Sequence, residues 1–132
     1  MEKFNKMLAG CEPSVLSIFR IITGLLLFQY GVAKLLKFPV LPYFANIPPL
    51  IYTAGAIELV GGALLILGLF TRPVAFILSG EMAFAYFIAH APKDFHPLVN
   101  GGTLAILYCF TCLYLSTAGA GPWSVDAAMK RD

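Results

Sequence analysis

Apolar residues run almost unbroken through four windows of this chain, at positions 14–36, 50–70, 73–91 and 97–117. Each is close to the ~20 residues that an α-helix needs to cross the hydrocarbon layer of a membrane. The breaks between them are short and polar or rich in proline. Positions 37–49 hold Pro39, Pro42, Pro48 and Pro49 together with Phe38, Tyr43 and Phe44, a composition that resists helix, suits the aromatic membrane interface and is placed to cover one mouth of a bundle. Thr71-Arg72-Pro73 and positions 92–96 are turns short enough to make their flanking helices antiparallel neighbours. Positions 1–13 read as a polar lead with Ser14 as the first cap, and Gly119-Ala120-Gly121-Pro122 stops the last helix ahead of Trp123, an interfacial anchor. The pattern predicts an all-α polytopic membrane protein, a four-transmembrane-helix antiparallel bundle forming a single domain over 1–132.

Composition agrees. Hydrophobic residues make up 59% of the 132 and charged residues 12%, with a mean hydropathy of +0.81, beyond what a soluble domain of this size carries. Lys3 and Lys6 precede the first window as in a secretory signal, but that window is too long and no small-residue cleavage site follows it, so it is expected to stay as a helix. The net charge is +2 without a basic run or an aromatic-interleaved basic stripe, which excludes nucleic acid as a partner. Four crossings put both termini on one side with Lys3, Lys6, Arg72, Lys130 and Arg131, against Lys34, Lys37 and Lys93 opposite. That bias predicts cytoplasmic termini in a bacterial-type inner membrane.

Two carboxyls lie inside apolar windows, Glu58 and Glu81. A charge at mid-membrane costs at least ~2.5–3.5 kcal/mol, so both must face protein or water. Arg20 is the basic residue nearest in depth. Counted along the helices, Arg20 lies ~9 Å deep, Glu81 ~12 Å and Glu58 ~18 Å, which predicts an Arg20–Glu81 layer and leaves Glu58 as the more isolated carboxyl, able to take up and release a proton. The bland alternative is a buried pair that only fixes helix register. Gln29 and Lys34 add polar groups and favour a cavity with a function. At the other end of the helices stand His90, Asp94, His96 and Asn100. Their spacing matches no metal-ligand pattern, so no metal is assigned; His90 and Asn100 either hydrogen-bond across the mouth between helices three and four or contact the head of a ligand. Cys109-Phe110-Thr111-Cys112 is a C-x-x-C in mid-helix, a redox candidate set against a packing role, because both cysteines fall on the small-residue stripe Gly102, Ala105, Cys109, Cys112 and Ser116. A second set of small residues, Gly24, Gly31, Gly55, Gly61 and Gly62, lets helix backbones approach.

Arg20, Gly31-Val32-Ala33-Lys34, Glu58-Leu59-Val60-Gly61-Gly62, Gly68-Leu69-Phe70-Thr71-Arg72, Gly80-Glu81-Met82-Ala83, Ala85-Tyr86-Phe87, His90, Asn100-Gly101-Gly102 and Gly121-Pro122-Trp123-Ser124-Val125-Asp126 follow one another in an order and spacing that resembles the DoxX family of small four-helix membrane proteins. The resemblance implies an association with redox chemistry, as in thiosulfate:quinone oxidoreductase and quinol oxidase complexes or thiol-stress and quinone-detoxification systems. Tyr30 stands where the family often has histidine, and Thr103 where glutamate is common, which removes a ligand and an acid; the paired cysteines are no family hallmark. Three functions stay open. The first is a redox-associated protein, an oxidoreductase component, with a pocket for a quinone or similar amphipathic molecule, in which Glu58, Glu81 and Arg20 handle protons and His90, Asn100, Gln29 and Lys34 contact the ligand. The second is a scaffold that meets the subunits of a redox or assembly complex. The third is a small proton-coupled transporter or lipid-handling protein, for which a homodimer is expected. Membrane lipid surrounds the chain in each.

Overall fold

The computed structural model describes residues 1–44 and 46–130, with Tyr43 described by its backbone alone. All regular structure among them is helical: α1 (Glu2–Gly10), α2 (Glu12–Leu35), a 3-10 turn (Pro42–Phe44), α3 (Pro49–Leu67), α4 (Thr71–Ala85) running on through a π-helical turn (Tyr86–His90), α5 (Pro97–Asn100), α6 (Thr103–Ala118) and α7 (Val125–Ala128). Among the described residues three helices are long and apolar enough to cross a membrane: α2, α3, and α4 with its π turn. With 24, 19 and 20 residues they measure ~36, ~28 and ~30 Å at 1.5 Å per residue.

Three expectations change. The polar lead is itself helical: α1 leaves Phe4, Met7 and Leu8 exposed at helical spacing, and α2 starts at Glu12 with Pro13 in its first turn, where a missing N–H costs nothing. The turn between the second and third windows falls three residues early, at Gly68–Phe70, where Gly68 ends α3 in the left-handed region (φ 71°) and Pro73 sits within the first turn of α4. The fourth window is divided. Gly101 (φ 74°) ends the one-turn α5, and the Asn100 side chain accepts from the Gly102 N–H at 2.8 Å, so α6 has only 16 residues, ~24 Å.

Two helix pairs build the protein. In the first, α2 lies against α3 with backbones almost touching: a Cβ on Gly24 would meet the Gly62 carbonyl at 2.8 Å, one on Gly31 the Leu59 amide at 2.5 Å, and one on Gly55 the Lys34 side chain at 2.9 Å. The glycine stripe serves as the pattern predicted. In the second pair, α4 lies against α6, where Ser79 donates to the Cys109 carbonyl at 2.7 Å and Gly102 is covered by the Tyr86 ring. The pairs meet in a core of Leu27, Leu65, Ala75, Leu78, Met82, Cys112 and Leu115. That core lies toward the end of the bundle that holds the α3–α4 turn and both chain ends, called here the terminal end.

The chain after α6 folds back beneath that end. Ser17 accepts from the Trp123 N–H at 3.1 Å, and Asp126 accepts from the N–H groups of Phe70 and Thr71, both at 2.9 Å, capping the otherwise bare N-terminus of α4. The Asp126 N–H donates in return to the Gly68 carbonyl at 2.9 Å.

Candidate functional site

Away from the terminal end the two helix pairs diverge. Gly61 of α3 packs closely on Leu78 of α4, where an added Cβ would meet the leucine at 2.9 Å. One turn further stand Glu58 and Glu81, and beyond them opens a cleft of about 650 Å³. Its walls are mostly apolar, with Leu27 and Ile57 low down and Phe44 and Leu50 at the mouth; its polar residues are Lys34, Thr53, Glu58, Glu81, Tyr30, Tyr108 and His90. A few polar groups in an apolar hollow of this size is the usual composition of a small-molecule site.

Glu58 is 1% exposed, yet its cation is not Arg20. Lys34 donates to both of its oxygens, at 2.8 and 3.0 Å. The rings of Tyr30 and Phe44 flank the ammonium at 5.9 and 5.8 Å and shield it from water. Side chains lean toward the N-terminus of their own helix. In the antiparallel α2 and α3, Lys34 therefore reaches down the bundle as Glu58 reaches up, and the two meet.

Glu81 has no such partner. Both its oxygens are buried without a hydrogen bond; the Glu58 carboxyl lies close by, short of hydrogen-bond geometry, and Lys34 is the nearest positive charge. Two carboxyls thus share one ammonium. In a low-dielectric setting an unmatched charge is costly, so the second carboxyl calls for a proton or a further positive charge.

The expected Arg20–Glu81 layer does not form. Arg20 is fully buried at the terminal end, its guanidinium spread over backbone carbonyls: Nε donates to Leu65 at 2.8 Å, Nη2 to Trp123 at 2.8 Å, and Nη1 to Ala120. It joins α2, the end of α3 and the returning C-terminal segment. Counting depth along the helices misled because α2 projects past the end of α3: the Gly24–Gly62 and Gly31–Leu59 contacts put Arg20 level with the α3–α4 turn. The lean of its side chain then carries the guanidinium farther from the acids.

Of the expected ligand contacts, Lys34 and His90 line the cleft and Gln29 does not; its side chain is on the exposed face of α2. Asn100 is 3% exposed and ties the loop end together. Its amide donates to the Tyr86 hydroxyl at 3.1 Å and the Asp94 carbonyl at 2.9 Å, while its own carbonyl faces His90 Nδ1 at 3.1 Å. A carbonyl only accepts, so Nδ1 carries a proton there and Nε2 is the ring nitrogen left toward the cleft. The π turn stacks the Tyr86 and His90 rings at 6.4 Å, and such turns recur at functional sites. Asp94 accepts from the His96 N–H at 2.8 Å and faces its ring at 3.1 Å, contacts that hold its carboxyl below the ordinary aspartate range. Cys112 is buried in the core and Cys109 half-buried beside Ser79; both are free thiols in the α4–α6 interface. Among the described residues no cluster of three metal-ligating side chains occurs.

Two tyrosines line the cleft that were not among the expected ligand contacts. Tyr30 and Tyr108 meet edge to face at 6.4 Å on the cleft wall. Tyr30 precedes Lys34 by four residues, and Tyr108 falls between Ala105 and Cys112 on the face of α6 that packs inward, so their helical spacing was a usable signal.

The family model DoxX matches residues 15–91, which take in Arg20, Lys34, Glu58, Glu81 and His90. The chain belongs to the DoxX family. This membership and its apolar helices make it an integral membrane protein. Two Haemophilus influenzae proteins, each described as an uncharacterized protein, are similar to this DoxX chain. One is 45% identical over 121 residues, covering 87% of this chain and 90% of its own length; the other is 36% identical over 74 residues, covering 56% and 49%. No solved structure matches it.

Proposed function

We propose that this DoxX-family protein is a redox-associated component of a bacterial-type inner membrane that binds a quinone or similar amphipathic molecule in its cleft. The observation that carries this reading is the apolar cleft of about 650 Å³ with the Lys34–Glu58–Glu81 cluster at its floor. A ring system fits the apolar walls. The proton held by the two acids serves a head group that gains or loses protons as it gains or loses electrons, with electrons arriving from a partner subunit. Lys34 fixes Glu58, and His90 offers Nε2 to a hydroxyl of the head group. Arg20 and Asn100 hold the two ends of the bundle and have no contact with the ligand in this scheme.

The same reading has α2, α3, α4 and α6 as four membrane-spanning helices in one domain. The ~6 Å by which α6 falls short of a ~30 Å core costs a fraction of a kcal/mol per Å through bilayer thinning. Cytoplasmic termini gain support from Lys34. Engaged with Glu58 inside the bundle, it no longer counts as a loop charge, which leaves Lys37 and Lys93 opposite Lys3, Lys6, Arg72 and Lys130, with Arg131 outside the described residues.

Mass spectrometry of small molecules released from gently purified protein, with lipid-only preparations as control, tests the reading. A stoichiometric quinone is expected, lost in a Glu58→Gln/Glu81→Gln double variant. Recovery of bulk phospholipid alone, or equal quinone in the double variant, overturns it.

A further inference from the structure

The α3–α4 side of the cleft is open. Its rim on α4 is Ile77, Phe84 and Ile88, which are 58%, 69% and 49% exposed, and on α3 it is Leu50, 55% exposed. Gly80, next to Glu81, lines the gap, and a Cβ built on it meets no atom within 4 Å. In a membrane-spanning bundle surfaces this apolar face acyl chains, so the gap leads to lipid and not to water.

Behind the gap the charges do not pair off. The groups facing Glu81 are Glu58 from α3, Lys34 and Tyr30 from α2, Tyr108 and Cys112 from α6, and His90 two turns along α4. Lys34 is the one standing cation among them, and its short contacts go to Glu58. Neutrality at Glu81 is met by a proton or by a positive ligand. A small inorganic cation wants six or more oxygens around it, which these walls lack. An organic cation needs apolar surface and ring faces, which Ile57, Ile77, Phe84 and Tyr108 supply.

We propose that the cleft takes a lipophilic organic cation, which enters from the acyl-chain layer past Gly80 and whose charge replaces the exchangeable proton of Glu81. This rests on the cleft being a ligand site, as above, and not on the ligand being a quinone. Binding forms no covalent bond: one cation enters, one proton leaves, and the charge of the cluster is unchanged. The Glu58 carboxylate beside Glu81 favours turning the ionised Glu81 carboxyl out toward the arriving charge.

Tetraphenylphosphonium is the probe, titrated calorimetrically into the full-length protein in detergent with empty micelles as control. Saturable binding is expected to tighten by up to about tenfold per pH unit while Glu81 holds its proton. In weak buffer about one proton should be released per cation bound. Glu81→Gln should abolish binding. Gly80→Trp, which fills space that is open, should weaken it at least tenfold with an unchanged thermal transition, and it decides the matter should Glu81→Gln fail to fold. No saturable binding by wild type, binding without proton release, or binding that Gly80→Trp leaves unchanged overturns the inference. Protein that retains a quinone yet ignores tetraphenylphosphonium overturns this proposal and leaves the quinone reading standing; the reverse result does the opposite.

Discussion

Lys34→Met strands Glu58. The ammonium lies 2.8 and 3.0 Å from the two carboxylate oxygens, and the side chains are 14% and 2% exposed. Methionine keeps the apolar stem and removes the charge, so the loss is that of breaking a buried pair from one side, ~3–5 kcal/mol. Glu58→Gln is expected to cost less, ~1–2 kcal/mol, because the longer lysine lies nearer the mouth and can turn its ammonium toward water. In the double variant no charge is left unmatched and the volumes are nearly kept. It should cost no more than ~1–2 kcal/mol relative to wild type, which gives a coupling energy of ~2–6 kcal/mol in a double-mutant cycle. Reversible unfolding in mixed detergent micelles, followed by Trp123 fluorescence, measures all four proteins. Additive single effects, or a Lys34→Met loss below ~1 kcal/mol, would refute the claim that the pair is dry and acts as a unit.

Gly31→Ala and Gly80→Ala make the same change in two settings. The first drives a Cβ to 2.5 Å from the Leu59 backbone and should cost ~1–3 kcal/mol or more, whereas the second meets nothing and should gain ~0.5–1 kcal/mol of helix propensity; equal effects in the same assay would contradict the close approach of α2 and α3. Asp126→Ala removes two charge-assisted bonds from the start of α4 and should cost ~2–3 kcal/mol, with faster proteolysis of the segment after Ala118 as the direct readout. Asp94 titrates below its ordinary range because its charged form is favoured in the fold. The Asp94–His96 turn is therefore fully formed above the unfolded aspartate pKa and loosens as pH falls through the lowered one. Amide exchange at His96, compared with Asp94→Asn, checks the sign.

The apolar windows were legible because a run of ~20 such residues admits few structures other than a spanning helix. The glycine stripe was legible because helical spacing alone aligns Gly24, Gly31, Gly55 and Gly62. The cost of burying Glu58 and Glu81 pointed to the part of the bundle where the structure opens a cleft. Which cation would answer them was not readable from depth. Arg20 lay closest in the count but leans toward the chain ends, while Lys34, counted as an outer-loop charge, leans inward. Angular position would have helped with Gln29: Arg20, Thr23, Leu27, Gly31 and Lys34 trace the inward face of α2 at three- and four-residue steps, and Gln29 falls off it. The break at Gly101 was signalled by Asn100-Gly101-Gly102, a run that stops helices, set inside a window otherwise apolar enough to pass as continuous. The Asp126 cap joins residues 55 and 56 positions apart in sequence, and no local pattern announces such a bond.

The placement of the acids follows from how the two helix pairs are joined. At the terminal end α3 and α4 are fixed by the Gly68–Phe70 turn, by Asp126 on the first amides of α4 and by Arg20 on the last carbonyls of α3. Toward the other end each of them holds to a different partner, α3 to α2 through the glycines and α4 to α6 through Ser79 and the Tyr86–Gly102 contact. Two rods tied at one end and drawn sideways by separate neighbours must open as a wedge, and Gly61 against Leu78 marks its apex. Glu58 and Glu81 lie one turn above, where packing gives way to space.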